Sequence, residues 1–172
     1  MRTEPALARP DLLAEAVHAA LQLLPFAAQI GVAEIDPTLA DTAAFCERYG
    51  VTLEQSANCV VVVGKRGGQT RMAACMVLAV DRADVNGVVR REVDARKVSF
   101  AAQDVATEQT GMEYGGITPI GLPSDWPILV DRAVLAAGDV VIGSGVRRSK
   151  LVLPGSRLAD LPGARVLELA QR

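Results

Sequence analysis

The sequence predicts an α+β fold, with a strongly curved, barrel-like mixed β-sheet and helices packed outside it. Three observations lead there. Residues 58–64 (Asn-Cys-Val-Val-Val-Val-Gly) form a β-branched run too short for a helix, and the turn Lys65-Arg66-Gly67-Gly68 leads into a second apolar run, Met72 to Val80. Such a pair reads as a hairpin. Both arms are apolar almost without interruption, which implies strands covered on two faces. Downstream, helical spacings alternate with short strand-like runs, so hairpins are mixed with αβ alternation and the sheet must hold strands of both directions.

The other elements follow in order. Leu12, Leu13, Ala16, Val17, Ala20, Leu21 and Leu24 fall at helical spacing over 11–24, with Asp11 as N-cap after Pro10. A short strand occupies 31–35. Asp36-Pro37 opens a second helix, with aspartate as cap and proline at the first helical position, and Gly50 ends it. Asp84 caps a third helix whose Val85, Val88, Val89 and Val93 share a face. Residues 97–101 read as a strand, and 103–110 as a short helix stopped by Gly111. Three further strands cover 127–131, 139–143 and 149–153. A helical turn at 156–161 and a last strand at 165–169 close the chain. No repeat, linker or low-complexity segment is visible, so 1–172 is expected to be one domain, with 1–30 an N-terminal helical extension.

Composition sets the function classes that remain. A chain of 172 residues can bury roughly 70% of its unfolded surface. Half the residues are hydrophobic and only 3% aromatic, so the core is aliphatic. The net charge of −2 excludes a global basic field, but the distribution is uneven. Residues 1–57 carry three basic and eight acidic side chains, and residues 58–172 carry fifteen and twelve. Residues 140–159 hold Arg147, Arg148, Lys150 and Arg157 with no acid, which is either a local phosphate-facing patch or a solvated turn. Cys46, Cys59 and Cys75 have no zinc-like spacing and an odd count, and read as reduced core residues. Acids at Glu4, Asp11 and Glu15 interrupt any signal-like run, and no stretch approaches the length of a membrane span. A soluble cytoplasmic protein without metal or cofactor is expected, with no membrane partner. An exposed apolar strand edge would allow a homodimer.

Two loops carry the functional signal. Tyr114-Gly-Gly-Ile-Thr-Pro-Ile-Gly121 combines three glycines with a proline, a composition that lets backbone N–H groups approach a ligand from a fixed shape. Ile142-Gly-Ser-Gly145 sets a small-residue turn beside the basic cluster. Each loop is equally readable as a plain turn. Ser144 either positions a water or caps its turn. It is no nucleophile, since no Gly-x-Ser-x-Gly frame exists and the single histidine, His18, lies in the N-terminal helix pattern. Cys59 lacks a histidine partner, and no spacing rule joins Glu113 to Asp131 as a catalytic pair.

Taken in order, these motifs resemble the editing-domain family shared by the insertion domain of bacterial prolyl-tRNA synthetase and its free-standing relatives, the YbaK/EbsC group. The resemblance runs over roughly residues 30–170. It is carried by the helix of 36–50, Lys97-Val-Ser-Phe-Ala101 and Thr110-Gly-Met-Glu-Tyr-Gly-Gly-Ile-Thr-Pro119. It continues through Ile128-Leu-Val-Asp131, Val141-Ile-Gly-Ser-Gly145 and Gly163-Ala-Arg-Val. Gly115 to Pro119 matches the family's Gly-x-x-x-Pro signature. The resemblance implies a metal-independent deacylase that acts in trans on the 3′ end of a mischarged tRNA carrying a small amino acid. Amides of Gly115 and Gly116 would then hold the ester, with Ile117, Thr118 and Pro119 and, opposite, Gly143, Ser144 and Gly145 as substrate walls. Arg147, Arg148 and Lys150 would meet tRNA phosphates.

One position departs from the family. Its usual lysine, in a pattern like Lys-Thr/Ser-Leu-Val, is replaced by Asn58-Cys-Val-Val61. Asn58 either satisfies a loop or orients the ester through hydrogen bonds, but it supplies no charge. A non-catalytic module of the same fold, binding an aminoacyl- or tRNA-like ligand, is the alternative this departure leaves open.

Overall fold

The computed structural model describes residues 1–171. In chain order its strands are β1 (Glu4–Pro5), β2 (Gly31–Glu34), β3 (Ala57–Arg66), β4 (Gln69–Leu78), β5 (Arg82–Ala83), β6 (Lys97–Phe100), β7 (Ile128–Asp131), β8 (Asp139–Gly143), β9 (Ser149–Pro154), β10 (Ala164–Leu167) and β11 (Ala170–Gln171). The α-helices are α1 (Glu15–Leu21), α2 (Thr42–Tyr49), α3 (Arg90–Glu92), α4 (Gln103–Thr110) and α5 (Arg132–Ala136). A five-stranded sheet runs β10-β7-β4-β3-β6, parallel at β10·β7 and β7·β4 and antiparallel elsewhere. A four-stranded antiparallel sheet runs β1-β2-β9-β8, and β11 pairs with β5 as a separate ribbon.

The barrel-like expectation is corrected here, since neither sheet closes. They approach each other through an isolated parallel bridge, Ser56 to Val141, where β8 meets the head of β3. The apolar pattern that suggested enclosed strands is satisfied in another way. Along β4, Met76 joins the cluster shared with β8 and β9, while Cys75 and Val77 point to a second cluster with Val89, Val93 and Val98. Covering a strand on both faces therefore takes two clusters and no closure.

Three of the predicted helices are shorter or differently wound. The 11–24 segment splits into a 3₁₀ turn at Pro10–Leu12 and α1, capped by Ala14. Asp11 is drawn away from the cap because its carboxylate accepts from Arg9 at 3.0 and 2.8 Å. The 36–50 segment likewise breaks. Asp36 caps a 3₁₀ turn, accepting from the Thr38 N–H at 2.9 Å, and the chain extends at Asp41 before α2 begins. Gly50, at φ 66°, ends α2 in the left-handed region that glycine tolerates. Beyond Asp84 the first turn is a π-helix over Val85–Val89 that runs on into α3. The Asp84 carboxylate caps it by accepting from Gly87 at 3.0 Å and Val88 at 3.1 Å. The N-terminal segment packs inward, and Leu12, Val17 and Leu21 join Met76, Ile142 and Leu151 in the largest apolar cluster.

Candidate functional site

The break ahead of α2 has a consequence. It sets Ala40, Asp41 and Thr42 against the head of β3 and the end of β8, and a cavity of about 270 Å³ lies between them. The Tyr114–Ile117 loop covers one side of it and Lys150 reaches in from β9. The sheets bring these pieces together. The Ser56–Val141 bridge sets β8 beside β3, and the β8·β9 register places Lys150 opposite Gly143.

The glycine loop presents alternate residues. Gly115 and Ile117 line the cavity, while Gly116, Thr118 and Pro119 are buried away from it. The Gly116 N–H donates to the Glu113 carbonyl at 3.0 Å, and its own carbonyl accepts from Gly145 N–H at 2.7 Å. The Gly115 and Ile117 N–H groups have no acceptor among the described residues, whereas the Gly116 N–H is used within the loop. Thr118 is fully buried, and its hydroxyl finds no partner. Pro119 lines a different, apolar depression with Leu23 and Leu122.

Gly143 lines the cavity, but Ser144 and Gly145 do not. A Cβ at Gly143 would strike the carbonyls of Gly116 and Ile117, so glycine here lets the loop and β8 touch. Gly145 takes φ 86°. Ser144 is fully buried; its Oγ lies 2.7 Å from the Ser149 Oγ, and its hydroxyl is within hydrogen-bond distance of the Ser149 and Val146 carbonyls at 3.0 and 3.1 Å. These bonds tie residues 144 and 149 together within the interior and place neither hydroxyl in the cavity.

Asn58 lies half-buried on the cavity wall, where its side-chain oxygen accepts from the Thr42 hydroxyl at 3.0 Å. Its amide nitrogen has no acceptor among the described residues. Neighbouring Cys59 also lines the wall, but burial pushes its thiol far above the ordinary range, as burial also pushes Cys75, to about 12. Thiols this hard to ionise are poor nucleophiles.

The basic cluster divides. Arg147 spends its guanidinium on the carbonyls of Tyr114 and Pro37, at 3.0 to 3.3 Å, and its N–H on Glu113. Arg148 is exposed and donates to the Asp11 carbonyl. Lys150 instead turns into the cavity, where its ammonium donates to the carbonyls of Ala40 at 3.2 Å and Gly115 at 3.5 Å and lies 5.3 Å from the Phe45 ring centroid. Burial holds its pKa below the usual lysine value, and the nearby Arg147 charge adds to that. Thr42 and the inward turn of Lys150 could not be read from spacing. The first depends on the helix break at Asp41, and the second on a cross-strand register.

The scaffold is α+β and holds a small pocket between the glycine loop, the head of β3 and the end of β8. Residues 36–161 match the sequence profile of the aminoacyl-tRNA editing domain family, and the chain belongs to that family. It is similar to YwhH of Bacillus subtilis (strain 168), an uncharacterized protein, at 25% identity over 135 residues, covering 78% of this chain and 83% of the relative. The fold is shared with a solved candidate trans-editing enzyme for prolyl tRNA synthetase (TM-score 0.78, 24% identity, covering 92% of this chain and 97% of that one). It is shared too with the hypothetical protein APE2540 (TM-score 0.79, 21% identity, covering 91% and 100%). No helix among the described residues is long and apolar enough to cross a membrane.

Proposed function

We propose that the protein is a trans-acting deacylase that hydrolyses the ester of a small amino acid on the 3′ end of a mischarged tRNA. The observation that carries this reading is the cavity itself. At about 270 Å³ it lies just below the usual range for small-molecule sites, roughly 300–1,000 Å³. A small aminoacyl group fits that space better than a large one. Its walls offer neutral hydrogen-bond donors, the Gly115 and Ile117 amides and the Asn58 side chain, for an ester carbonyl.

In the reaction, water adds to the ester carbonyl carbon and the bond to the ribose oxygen breaks. A proton passes to that oxygen, leaving a free amino acid and a tRNA with its terminal hydroxyl restored. Amides preorganised at the position of the developing oxyanion favour the transition state over the ground state. No side chain here is placed as a nucleophile, so the attacking oxygen belongs to water, activated directly or through the ribose hydroxyl. The solved relative named for prolyl tRNA synthetase makes the proline-specific tRNA, charged with another amino acid, the first substrate to try.

The test is a panel of tRNAs mischarged with alanine, serine or cysteine, with loss of the aminoacyl group followed for the wild type and for Asn58→Lys. The wild type should deacylate at least one member. Inactivity across the panel, with activity gained only by Asn58→Lys, would instead favour a ligand-binding module that lost catalysis with its lysine.

A further inference from the structure

We propose that Lys150 supplies the cation of this pocket, reaching the ester from β9 where the family's lysine would reach it from position 58. The inference rests on the deacylase reading and adds to it the residue that carries the charge.

Four observations support it. Lys150 lines the same cavity as Asn58, so an ammonium is present even though the head of β3 carries none. Its two hydrogen-bond acceptors are neutral carbonyls, of Ala40 and Gly115, and an ammonium has three N–H donors. One donor therefore has no acceptor among the described residues. Asp41 lines the cavity too, yet it forms no ion pair with Lys150 among the described residues. Finally, Lys150 Nζ lies 3.5 Å from the carbonyl of Gly115, whose own N–H has no acceptor among the described residues, and both residues line the cavity.

A half-buried charge with no carboxylate bonded to it costs desolvation that the protein fold recovers only in part, through two carbonyls, the face of Phe45 and the more distant Asp41. An anion developing in the cavity would complete its solvation. The same geometry argues against a backbone-phosphate role. The ammonium lies inside the pocket, under the loop that covers it, while the exposed member of the cluster is Arg148. Charged and titratable groups around it are Asp41 and Cys46 from the α2 side, Arg147 from its own turn, and Cys59 and Tyr114 on the cavity wall.

The experiment measures single-turnover deacylation, and separately the affinity for the deacylated tRNA, in wild type, Lys150→Met, Asn58→Lys and the double variant. If Lys150 meets the developing oxyanion, Lys150→Met should lower the chemical rate by about 10²–10³, as loss of one oxyanion donor does. Its tRNA affinity should stay within about threefold of wild type. Adding Asn58→Lys to Lys150→Met should restore at least about tenfold of the rate, which a protein merely misfolded by Lys150→Met would not show. Asn58→Lys alone sets two ammoniums in one cavity and should gain nothing. The wild-type rate, corrected for spontaneous hydrolysis, should fall as pH rises towards the ordinary lysine range, and that limb should vanish in Lys150→Met. Weaker tRNA binding with an unchanged rate would show a phosphate contact and overturn the proposal. Unchanged rate and affinity would reduce Lys150 to a tie between loops and overturn it too. A wild type that binds tRNA but deacylates no panel member overturns the enzyme reading itself, and this inference with it.

Discussion

Of the loop from Gly115 to Pro119, only Gly115 and Ile117 line the cavity, while Gly116 and Thr118 are buried in the interior. Thr118 carries a consequence for stability. Its buried hydroxyl has no partner, and leaving such a group unsatisfied costs about 1–3 kcal/mol. Thr118→Val keeps the shape and removes the hydroxyl, so it should raise Tm by a few degrees, at about 2–4 °C per kcal/mol for a chain of this size. Deacylation should be unchanged, and a fall in activity would show that the hydroxyl has a role in substrate binding. Gly143→Ala should do the opposite. Its Cβ would press on the Gly116 and Ile117 carbonyls, which are backbone and cannot swing aside. Overpacking of that kind costs about 1–3 kcal/mol, read as a lower urea midpoint together with weaker deacylation, because the pocket amides shift with those carbonyls.

At the scale of elements, legibility followed the strength of local signals. β3, β6, α4, β8 and β9 appear within a residue or two of the bounds read from β-branched runs and helical spacings, while β4 begins three residues before the expected Met72, at Gln69. β1, β5 and β11 are two-residue strands that exist only through a partner strand, so no local pattern announces them. α5 is short and begins where Asp131 accepts from the Ala133 N–H at 2.9 Å, a cap hidden inside an apparent strand end. The site was legible as a glycine loop beside a basic turn. Which basic residue turned inward was decided by the β8·β9 register, a tertiary fact. Asp84 permits an element-scale test of electrostatics. Hydrogen bonds from the Val88 and Gly87 amides and from Gln171 hold its carboxyl below the ordinary aspartate value. A folded pKa below the unfolded one contributes stability above the unfolded value, about 3.9, and that contribution is lost as pH falls through the folded value. Asp84→Asn retains a capping oxygen but no charge. It should therefore lower the urea midpoint at pH 7, and the gap to wild type should close as the pH drops below about 4. A gap that persists at low pH would trace the loss to cap geometry rather than charge.

For the whole molecule, the open question is whether residues 1–30 are an appendage or part of one cooperative unit. The packing argues for the second. Leu21 and Val17 are fully buried in the cluster that also holds Met76, Ile142 and Leu151, and the Ser149 hydroxyl is bonded to the Leu12 carbonyl. Gly145, which closes the glycine loop against β8, would strike Ala14 and Val17 if it carried a Cβ. The N-terminal segment thus buttresses the wall of the pocket from behind. Trp126, the sole tryptophan, is buried in a different cluster with Val61 and Ala106, linked to the first through Ile117 and Leu122. Leu21→Ala should cost about 2–5 kcal/mol, the range for truncating a buried leucine. If the chain unfolds as one unit, Trp126 fluorescence and far-UV circular dichroism should shift to the same lower urea midpoint. Should the Trp126 transition stay in place while the dichroism moves, the first thirty residues would fold apart from the rest. The pocket would then have to be held by the glycine loop and the two sheets alone.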